Sequence, residues 1–196
     1  MKKQPVILPA CMHEGVNEAG CDEAGRGCLA GPVVAAAVIL PDGYSHPGLT
    51  DSKKLSEKRR EEMREIIMRD AVAWAVAECS ADEIDQINIL NASIEAMHRA
   101  LRALGVRPGA IVVDGNRFKP FDDIPHTTVV KGDATYANIA AASILAKTTR
   151  DRLMTELHDE FPVYNWSGNK GYPTADHRAA IAAHGPCRWH RKTFKM

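Results

Sequence analysis

The sequence predicts an α/β domain with a mixed β-sheet. Three observations support this prediction: short apolar runs end in polar residues beside glycine, helical segments follow them along the chain, and the composition is that of an average globular domain. The chain has 196 residues, of which 45% are apolar and 26% charged. Because no repeat, low-complexity tract or linker divides it, we expect one domain over residues 1–196, with an N-terminal extension at 1–18 and a basic C-terminal tail at 185–196.

The first half of the chain contains two predicted strands, a helix and a third strand. Residues 20–24 and 33–40 have the pattern of a hairpin, because a Gly-rich turn joins them and Pro-Asp-Gly closes the second run. Ser56 is a suitable N-cap for a helix that extends to about Arg69. The apolar residues 71–77 form the third predicted strand.

The second half alternates helices and strands. After Asn88 the apolar residues recur at intervals of three and four, which predicts a helix. Residues 110–113 and 127–130 are short runs that end beside Asp-Gly and Gly-Asp, as buried strands do when they deliver a polar residue at their carboxyl end. Thr135 and Thr174 are predicted to cap the last two helices. This order of elements predicts a sheet flanked by helices.

Charge and cysteine content limit the class of protein. Lysine plus arginine and aspartate plus glutamate both number 25, so a polyanionic partner would have to be bound by local basic patches. The longest apolar stretch, residues 29–40, is shorter than the roughly 20 residues that span a bilayer, and residues 1–18 lack a signal-peptide pattern. Five cysteines without a CxxC pair predict reduced thiols. We therefore expect a cytoplasmic protein without a membrane partner.

Four acidic residues lie at or near the ends of predicted strands: Asp22, Glu23, Asp114 and Asp133. If those strands are neighbours, the carboxylates converge, and an all-oxygen ligand set selects Mg²⁺ or Mn²⁺ for metal-assisted hydrolysis. Adjacent residues of a strand point to opposite faces, so Asp22 and Glu23 share a site only if the strand leaves regular geometry. The alternative is that these acids are ordinary solvated turn residues.

The turn Gly25-Arg26-Gly27 follows the first two acids. Its glycines permit close approach of the main chain to a ligand, and Arg26 can contact phosphate. A plain hairpin turn is the alternative. A dinucleotide-binding fingerprint is excluded, because the spacing from Gly25 to Gly31 is one residue too long and a strand follows instead of a helix.

Basic residues are concentrated in three segments. The sequence Asp51-Ser52-Lys53-Lys54 opens a helix, an arrangement that suits a phosphate but also any solvated helix start. The C-terminal tail combines basic and aromatic residues, which indicates either a nucleic-acid contact or a solubilising tail. The predicted helix after Asp133 carries Lys147, Arg150 and Arg152.

Two other chemistries are not supported. His184, Cys187 and His190 are the residue types of a zinc site, but a fourth ligand is missing and the surrounding cations oppose metal binding. The serine nucleophile motif G-x-S-x-G is absent from the sequence.

The chain resembles the ribonuclease HII family, the bacterial type 2 ribonucleases H, from about residue 20 to residue 194. The motifs that carry the resemblance, in chain order, are GCDEAGRGCLAGPVVAAAVIL, DSKKLS, INILNAS, VDGNR, KGDATYANIAAASILAKTTRDR, NKGYPTADH and HRKTF. Several long motifs in the family's order over nearly the whole chain make the resemblance specific. It implies the RNase H-like fold, with a five-stranded mixed sheet flanked by helices and additional C-terminal helices.

The resemblance also implies an activity. The family hydrolyses the RNA strand of RNA–DNA hybrids and cuts on the 5′ side of ribonucleotides embedded in duplex DNA, using two Mg²⁺ or Mn²⁺ ions and leaving a 3′-hydroxyl and a 5′-phosphate. This activity removes ribonucleotides during DNA replication and repair. Hybrids and ribonucleotide-containing duplexes are the implied partners, and we expect a monomer. The implied metal-binding catalytic residues are Asp22, Glu23, Asp114 and Asp133.

Substrate recognition is implied in the same way. By resemblance, the turn Gly25-Arg26-Gly27 senses the ribose 2′-hydroxyl through its main chain, and Tyr172 packs against the sugar at the RNA-to-DNA junction. Asn169 stands where the family more often has histidine, which we interpret as a tuning difference. The implied contacts with backbone phosphates are Lys53, Lys54 and Lys147.

Two alternatives differ from this identification. A related nuclease of the same fold, such as ribonuclease HIII, would bear an additional N-terminal substrate-binding domain, for which the segment before Gly20 is too short. A non-catalytic nucleic-acid-binding module that keeps the fold would be indicated by the loss of one of the four acids. None of the four is lost.

Overall fold

The computed structural model describes residues 7–50 and 52–195. Within these residues lies a sheet of five strands: β1 Glu18–Ala24, β2 Val33–Ile39, β3 Ala73–Cys79, β4 Ala110–Asp114 and β5 His126–Val129. The strand order is β3-β2-β1-β4-β5. β2 is antiparallel to both β1 and β3, whereas β4 is parallel to both β1 and β5. The predicted five-stranded mixed sheet is therefore confirmed.

Helices cover both faces of this sheet. They are α1 Glu57–Asp70, α2 Ala81–Ala103, α3 Ala137–Glu160, α4 Trp166–Asn169 and α5 Ala175–His184, with short 3₁₀ turns at Ser52–Lys54, Gly132–Ala134 and Pro162–Tyr164. On one face α2 packs through Ile84 and Met97. On the other, α1 and α3 pack through Met63 and Ile144. None of the helices in the described residues is long and apolar enough to cross a membrane.

Small residues bring α3 close to β1. A Cβ at Gly20 would clash with the main chain of Asn138, so only glycine permits this approach. Residues 140–142 of α3 are alanines without solvent exposure. Because β1 also carries Asp22, this contact fixes the position of that side chain relative to α3.

Several element boundaries differ from the sequence-based prediction, among them those of α2 and β3. α2 begins at Ala81, where Ser80 and Glu83 form a capping box, and Asn88 lies inside it with a φ of 64°. The helix is kinked at Asn88, and the regular apolar period in the sequence begins only after this residue. The sequence therefore revealed only the second part of α2. β3 begins two residues later than the predicted range 71–77.

The predicted helix caps have different outcomes. Ser56 and Thr174 accept hydrogen bonds from main-chain N–H groups in the first turns of α1 and α5, as predicted. Thr135 does not cap α3. Its hydroxyl donates to the carbonyl of Lys131 at 2.9 Å, which closes the preceding 3₁₀ turn, and α3 begins at Ala137.

The C-terminal segment packs into the domain, which differs from the expected basic tail. His190 and Arg191 have no solvent exposure, and Ala30 forms an isolated antiparallel bridge with His190. Cys187, Trp189 and Phe194 pack, partly buried, against the apolar cluster of the C-terminal side. The basic residues Arg188, Lys192 and Lys195 of the same segment are exposed. Three predicted features lie wholly or partly outside the described residues: the start of the N-terminal extension at 1–6, Asp51 of the lysine motif, and Met196.

Candidate active site

The carboxyl ends of β1 and β4 carry Asp22 and Asp114. The two strands pair in parallel as far as Cys21 opposite Val113, so the two acids follow side by side at one edge of the sheet. A cavity of about 230 Å³ opens there. It is lined by Asp22, Glu23, Ala24, Gly25, Arg26, Gly27, Ser52, Lys53, Asp114, Ser143, Lys147 and Tyr172.

Glu23 lines the same cavity although β1 keeps its regular geometry. It still pairs with Ala35 of β2, so the expected departure from the strand does not occur. Pairing with β4 ends at Cys21, which leaves that edge of β1 open beside both acids. Oε1 of Glu23 accepts a hydrogen bond from Nη1 of Arg26 at 3.1 Å. The open edge of β1 and the longer glutamate side chain therefore bring Glu23 to the same cavity as Asp22 without a break in the strand.

Burial and mutual repulsion raise the pKa of two carboxyl groups. Burial raises the pKa of Asp22 well above its usual range, the charges of Glu23 and Asp114 raise it further, and a hydrogen bond from Ser143 opposes them. Burial also raises the pKa of Glu23, against the lowering effect of Arg26. The carboxyl groups at this edge of the sheet therefore repel one another, and a bound cation would reduce that repulsion.

Asp133 lies next to this cavity rather than on its lining. It belongs to the 3₁₀ turn Gly132–Ala134 and is buried, with 8% exposure. The N–H of Gly132 donates to Oδ1 of Asp114 at 2.7 Å, which ties the turn to the end of β4. Across the described residues, no three His, Cys, Asp or Glu side chains stand together at distances that would hold a metal ion.

The donor set fits a hard divalent cation. Asp22, Glu23 and Asp114 supply carboxylate oxygens, and Ser52 and Ser143 add hydroxyls on the same lining. Oxygen ligands without nitrogen or sulfur select Mg²⁺ or Mn²⁺. The residue types on the lining therefore suit such an ion. Their side chains line the cavity without converging on a single point.

Ser143 was missed by the sequence analysis, which considered Ser52 only as part of a helix start that suits a phosphate. Oγ of Ser52 and Oγ of Ser143 are 2.9 Å apart, and both residues are buried. The signal for Ser143 was a polar residue on the alanine-rich face of α3, where an unsatisfied hydroxyl would be costly. The contact between Ser52 and Ser143 gave no signal, because it joins segments 91 residues apart.

The turn after β1 is held in an unusual conformation. Gly25 has a φ of 96°, and a Cβ there would clash with the side chain of Arg150, so glycine is required. Gly27 is exposed, with open space where a Cβ would lie. Within the described residues, the N–H groups of Arg26 and Gly27 make no hydrogen bond, whereas the N–H of Cys28 donates to the carbonyl of Gly25 at 3.3 Å.

The lysines and tyrosine implied by the resemblance lie at different depths. Lys53 and Lys147 line the cavity, whereas Lys54 is exposed and does not. Nζ of Lys147 lies 2.8 Å from Oδ1 of Asp151 and 5.6 Å from the centre of the Tyr172 ring. Tyr172 is 40% exposed, and burial of the rest of its side chain raises the pKa of its hydroxyl.

Asn169 braces the segment that presents Tyr172. Its Oδ1 accepts from the N–H of Gly171 at 2.8 Å, and its Nδ2 donates to the carbonyl of Tyr164 at 2.7 Å. The Asn169 carbonyl accepts from the N–H of Tyr172 at 2.9 Å. The side chain that departs from the family pattern therefore supports this turn from inside.

Several other candidate residues lie away from the cavity. Arg150 is 1% exposed, and Arg152 forms an ion pair with Glu61. Of the zinc-type residues, Cys187 and His190 are in contact, with Sγ and Nδ1 3.4 Å apart, whereas His184 is exposed at the end of α5.

A mixed sheet in this order, with acids gathered at the ends of its central parallel strands, defines a nuclease of the ribonuclease H type. The chain belongs to the ribonuclease HII family, because that family's sequence profile, Ribonuclease HII, matches residues 19–196. The resemblance seen in the motifs is thereby confirmed. The protein is a ribonuclease H, a hydrolase that acts on nucleic acid.

Related sequences support the same assignment. Ribonuclease HII of Bacteroides fragilis is 63% identical over 191 residues, which cover 97% of this chain and 94% of the relative. Ribonuclease HII of Parabacteroides distasonis is 62% identical over 191 residues, with 97% and 96% coverage.

Solved structures share the fold. Ribonuclease HII of Archaeoglobus fulgidus, determined in a complex with PCNA, superposes with a TM-score of 0.77 and 29% identity, covering 92% of this chain and 96% of that one. Bst-RNase HIII, determined with Mn²⁺, has a TM-score of 0.63 and 18% identity, covering 86% and 70%. At that identity the second comparison shows the fold alone.

Proposed function

We propose that the protein is an endonuclease that hydrolyses the RNA strand of RNA–DNA hybrids and cuts duplex DNA on the 5′ side of embedded ribonucleotides. One observation carries this proposal: Asp22, Glu23 and Asp114 line the same cavity as the Gly25-Arg26-Gly27 turn and Tyr172. Acids that suit a metal ion therefore face the same space as main-chain groups that suit a sugar. Removal of ribonucleotides during DNA replication and repair, in the cytoplasm, is the proposed role.

Four carboxylates would hold the metal ions: Asp22, Glu23, Asp114 and Asp133. Two bound Mg²⁺ or Mn²⁺ ions would supply an activated water and stabilise the departing 3′-oxygen, so the products would be a 3′-hydroxyl and a 5′-phosphate. Asp22 and Asp114 are placed by neighbouring strands and Glu23 by the open edge of β1. Asp133 would reach the ions from the 3₁₀ turn Gly132–Ala134, which is joined to Asp114 by the hydrogen bond from the N–H of Gly132.

Main-chain groups of the glycine turn would recognise the ribose. The N–H groups of Arg26 and Gly27 have no partner within the described residues, and the exposed position of Gly27 leaves room for a sugar. The 2′-hydroxyl both donates and accepts hydrogen bonds, so it is the group by which a protein distinguishes RNA from DNA. The partly exposed ring of Tyr172 would pack against the sugar at the RNA-to-DNA junction.

Three lysines would bind the backbone on either side of the cut. Lys53 and Lys147 line the cavity, and Lys54 extends the same 3₁₀ turn outward. Arg60 Nη1 donates to the carbonyls of Ser52 and Leu55, which holds this turn at the start of α1. Phosphate contacts of this kind supply affinity without sequence choice.

Cleavage of a labelled duplex with one central ribonucleotide tests the proposal. With Mg²⁺ we expect a single cut on the 5′ side of the ribose, and neither an all-DNA duplex of the same sequence nor a reaction with chelator should be cut. Metal-independent binding without cleavage would contradict the proposal and favour a non-catalytic nucleic-acid-binding module.

A further inference from the structure

Two arginines are buried behind the glycine turn without an acidic partner. Arg150 of α3 is 1% exposed and Arg191 of the C-terminal segment has no exposure. Among the described residues, neither guanidinium forms an ion pair with a carboxylate. Burial and the charge of Arg150 lower the pKa of Arg191 to about 10, which still leaves Arg191 charged at neutral pH. Buried like charges oppose folding unless hydrogen bonds compensate them.

Within the described residues, the hydrogen bonds that the Arg191 guanidinium donates all go to the turn and the loop that follows it. Nη1 donates to the carbonyl of Arg26 at 3.0 Å. Nε and Nη2 both donate to the carbonyl of Gly31, at 3.0 and 2.9 Å. One planar group therefore fixes two carbonyls of the segment that contains the turn, and one of them belongs to its central residue.

Arg150 holds the same loop from α3. Nη2 donates to the carbonyl of Ala30 at 2.9 Å and Nε to that of Pro32 at 2.9 Å. Nη1 donates to the carbonyl of Lys170 at 2.8 Å, so the same side chain reaches the segment that presents Tyr172. The two arginines together direct six donor contacts at main-chain carbonyls of residues 26–32 and 170.

The glycine turn and the tyrosine segment are also joined directly. The N–H of Leu29 donates to the carbonyl of Gly171 at 2.8 Å. Gly171 approaches so closely that a Cβ there would lie 2.6 Å from the carbonyl oxygen of Ala30. A change in the direction of the turn would therefore also move Tyr172.

We propose that Arg191 and Arg150 are positioning residues for ribose recognition. By fixing the carbonyl of Arg26 and the loop behind it, they set the direction of the N–H of Gly27, which lies in the same peptide plane as that carbonyl. The N–H of Arg26 shares a plane with the carbonyl of Gly25, which accepts from the N–H of Cys28 in the same loop. Ribonucleotide selectivity thus depends on side chains that do not line the cavity. This inference rests on the proposed function of the glycine turn.

A lysine at either position would keep the charge and lose the geometry. The guanidinium presents donors in a rigid plane, whereas an ammonium group is a single point on a flexible stem. Arg191→Lys is therefore the informative substitution, because it removes the simultaneous contacts with Arg26 and Gly31 without removing the positive charge. Arg188→Lys is a matched control, since Arg188 is exposed in the same segment and pairs with Glu160.

The test compares substrate and competitor in the same assay. For each variant we would measure kcat/KM on the single-ribonucleotide duplex, the Ki of an all-DNA duplex of the same sequence, and the folded fraction by circular dichroism at low temperature. For Arg191→Lys we expect kcat/KM per folded enzyme to fall about tenfold, as for loss of one charge-assisted hydrogen bond, while Ki changes less than about twofold. Arg188→Lys should change neither quantity.

Several results would overturn the inference. One is an unchanged kcat/KM per folded enzyme, and another is an equal change in kcat/KM and Ki, which would indicate general loss of nucleic-acid affinity. If Arg191→Lys does not fold, Arg150→Lys is measured with the same expectation. Failure of both to fold would make the arginines structural rather than positioning residues. Failure of the unmodified protein to cleave the duplex would instead overturn the proposed function.

Discussion

At the scale of single residues, charge crowding dominates the cavity. Asp22 is 6% exposed, and the charges of Glu23 and Asp114 both act on it. In the absence of a cation, the charged carboxylates therefore destabilise the folded protein by mutual repulsion. Removal of one carboxylate should reduce this repulsion, but it also removes a ligand from a bound metal ion. Stability and activity are expected to move in opposite directions at these positions.

The first prediction concerns Asp22→Asn and Asp114→Asn. Each should reduce cleavage by at least about a hundredfold, because a lost metal ligand removes several kcal/mol of transition-state stabilisation. The Tm of the metal-free protein should stay the same or rise, as measured by circular dichroism. Asp159→Asn, on the exposed end of α3, is the control that should leave both unchanged. Near-normal cleavage by either site variant would show that these acids are misassigned.

The second prediction concerns Tyr172→Ala. Cleavage at the RNA-to-DNA junction should fall by about tenfold to a hundredfold, the range of a lost stacking contact of 1–3 kcal/mol. Tm should change little because the ring is 40% exposed. Tyr172→Phe keeps the ring and is the matched control. Equal loss of cleavage and of thermal stability would assign Tyr172 to packing instead.

Residues of the cavity differ in how far the sequence reveals them. Asp22 and Asp114 could be predicted to meet, because strand ends beside glycine are a local pattern and the strand order then unites them. The contact of Ser143 with Ser52 could not be predicted, and neither could the contact of Arg191 behind the cavity, since each depends on a partner far along the chain. The placement of Asp133 on the metal remains a prediction.

At the scale of elements, the C-terminal segment is joined to α5 by two buried histidines. His177 Nε2 and His190 Nε2 are 3.2 Å apart, and Nδ1 of His177 lies 2.9 Å from the carbonyl of Tyr172. Nδ1 of His190 accepts from the N–H of Cys187 at 3.0 Å. Burial and the neighbouring His177 lower the pKa of His190 to about 4, and burial also lowers the pKa of His177.

The third prediction is a loss of stability in mild acid. A histidine whose pKa is about 4 when folded and 6.5 when unfolded binds a proton first in the unfolded state, so its stabilising contribution, complete above pH 6.5, is lost as the pH falls towards 4. Urea unfolding at several pH values should show that the contribution of His190, taken as the difference from His190→Gln, declines by on the order of 3 kcal/mol across this window. His190→Gln should flatten the decline, whereas exposed His184→Gln should not. Parallel curves for His190→Gln and the unmodified protein would contradict this account.

Elements with a local signature could be predicted from the sequence. Ser56 and Thr174 cap α1 and α5 because an N-cap needs only its own side chain and the next turn. The first part of α2 was missed because the kink at Asn88 interrupts the apolar period. The C-terminal segment was interpreted as a tail because the burial of Arg191 depends on carbonyls contributed by a distant loop.

For the molecule as a whole, the net charge is zero, so nucleic-acid binding must depend on local groups of basic residues. Lysine plus arginine equals aspartate plus glutamate at 25 each, so no global field attracts a polyanion. The lysines around the cavity would then account for most of the salt dependence. Lys53 and Lys147 line it, and Lys54 lies on the same turn as Lys53.

The fourth prediction follows from counterion release. Binding of a hybrid duplex should weaken as salt rises, and Lys53→Gln or Lys54→Gln should each reduce the slope of log Kd against log salt concentration by about 1. Fluorescence anisotropy across a salt series provides the measurement. Lys119→Gln is the control, because Lys119 lies beside His98 of α2, away from the cavity. An unchanged slope in both cavity variants would exclude these lysines as phosphate contacts.

We expect acids from separate strands and turns to hold divalent ions against the nucleic acid, next to the glycine turn. The most direct test is a crystal structure with Mn²⁺ and a single-ribonucleotide duplex, in which anomalous scattering locates the ions. We predict Mn²⁺ bound by Asp22, Glu23, Asp114 and Asp133, with the ribose against residues 25–27. Mn²⁺ bound elsewhere, or Asp133 turned away from the ions, would contradict the account.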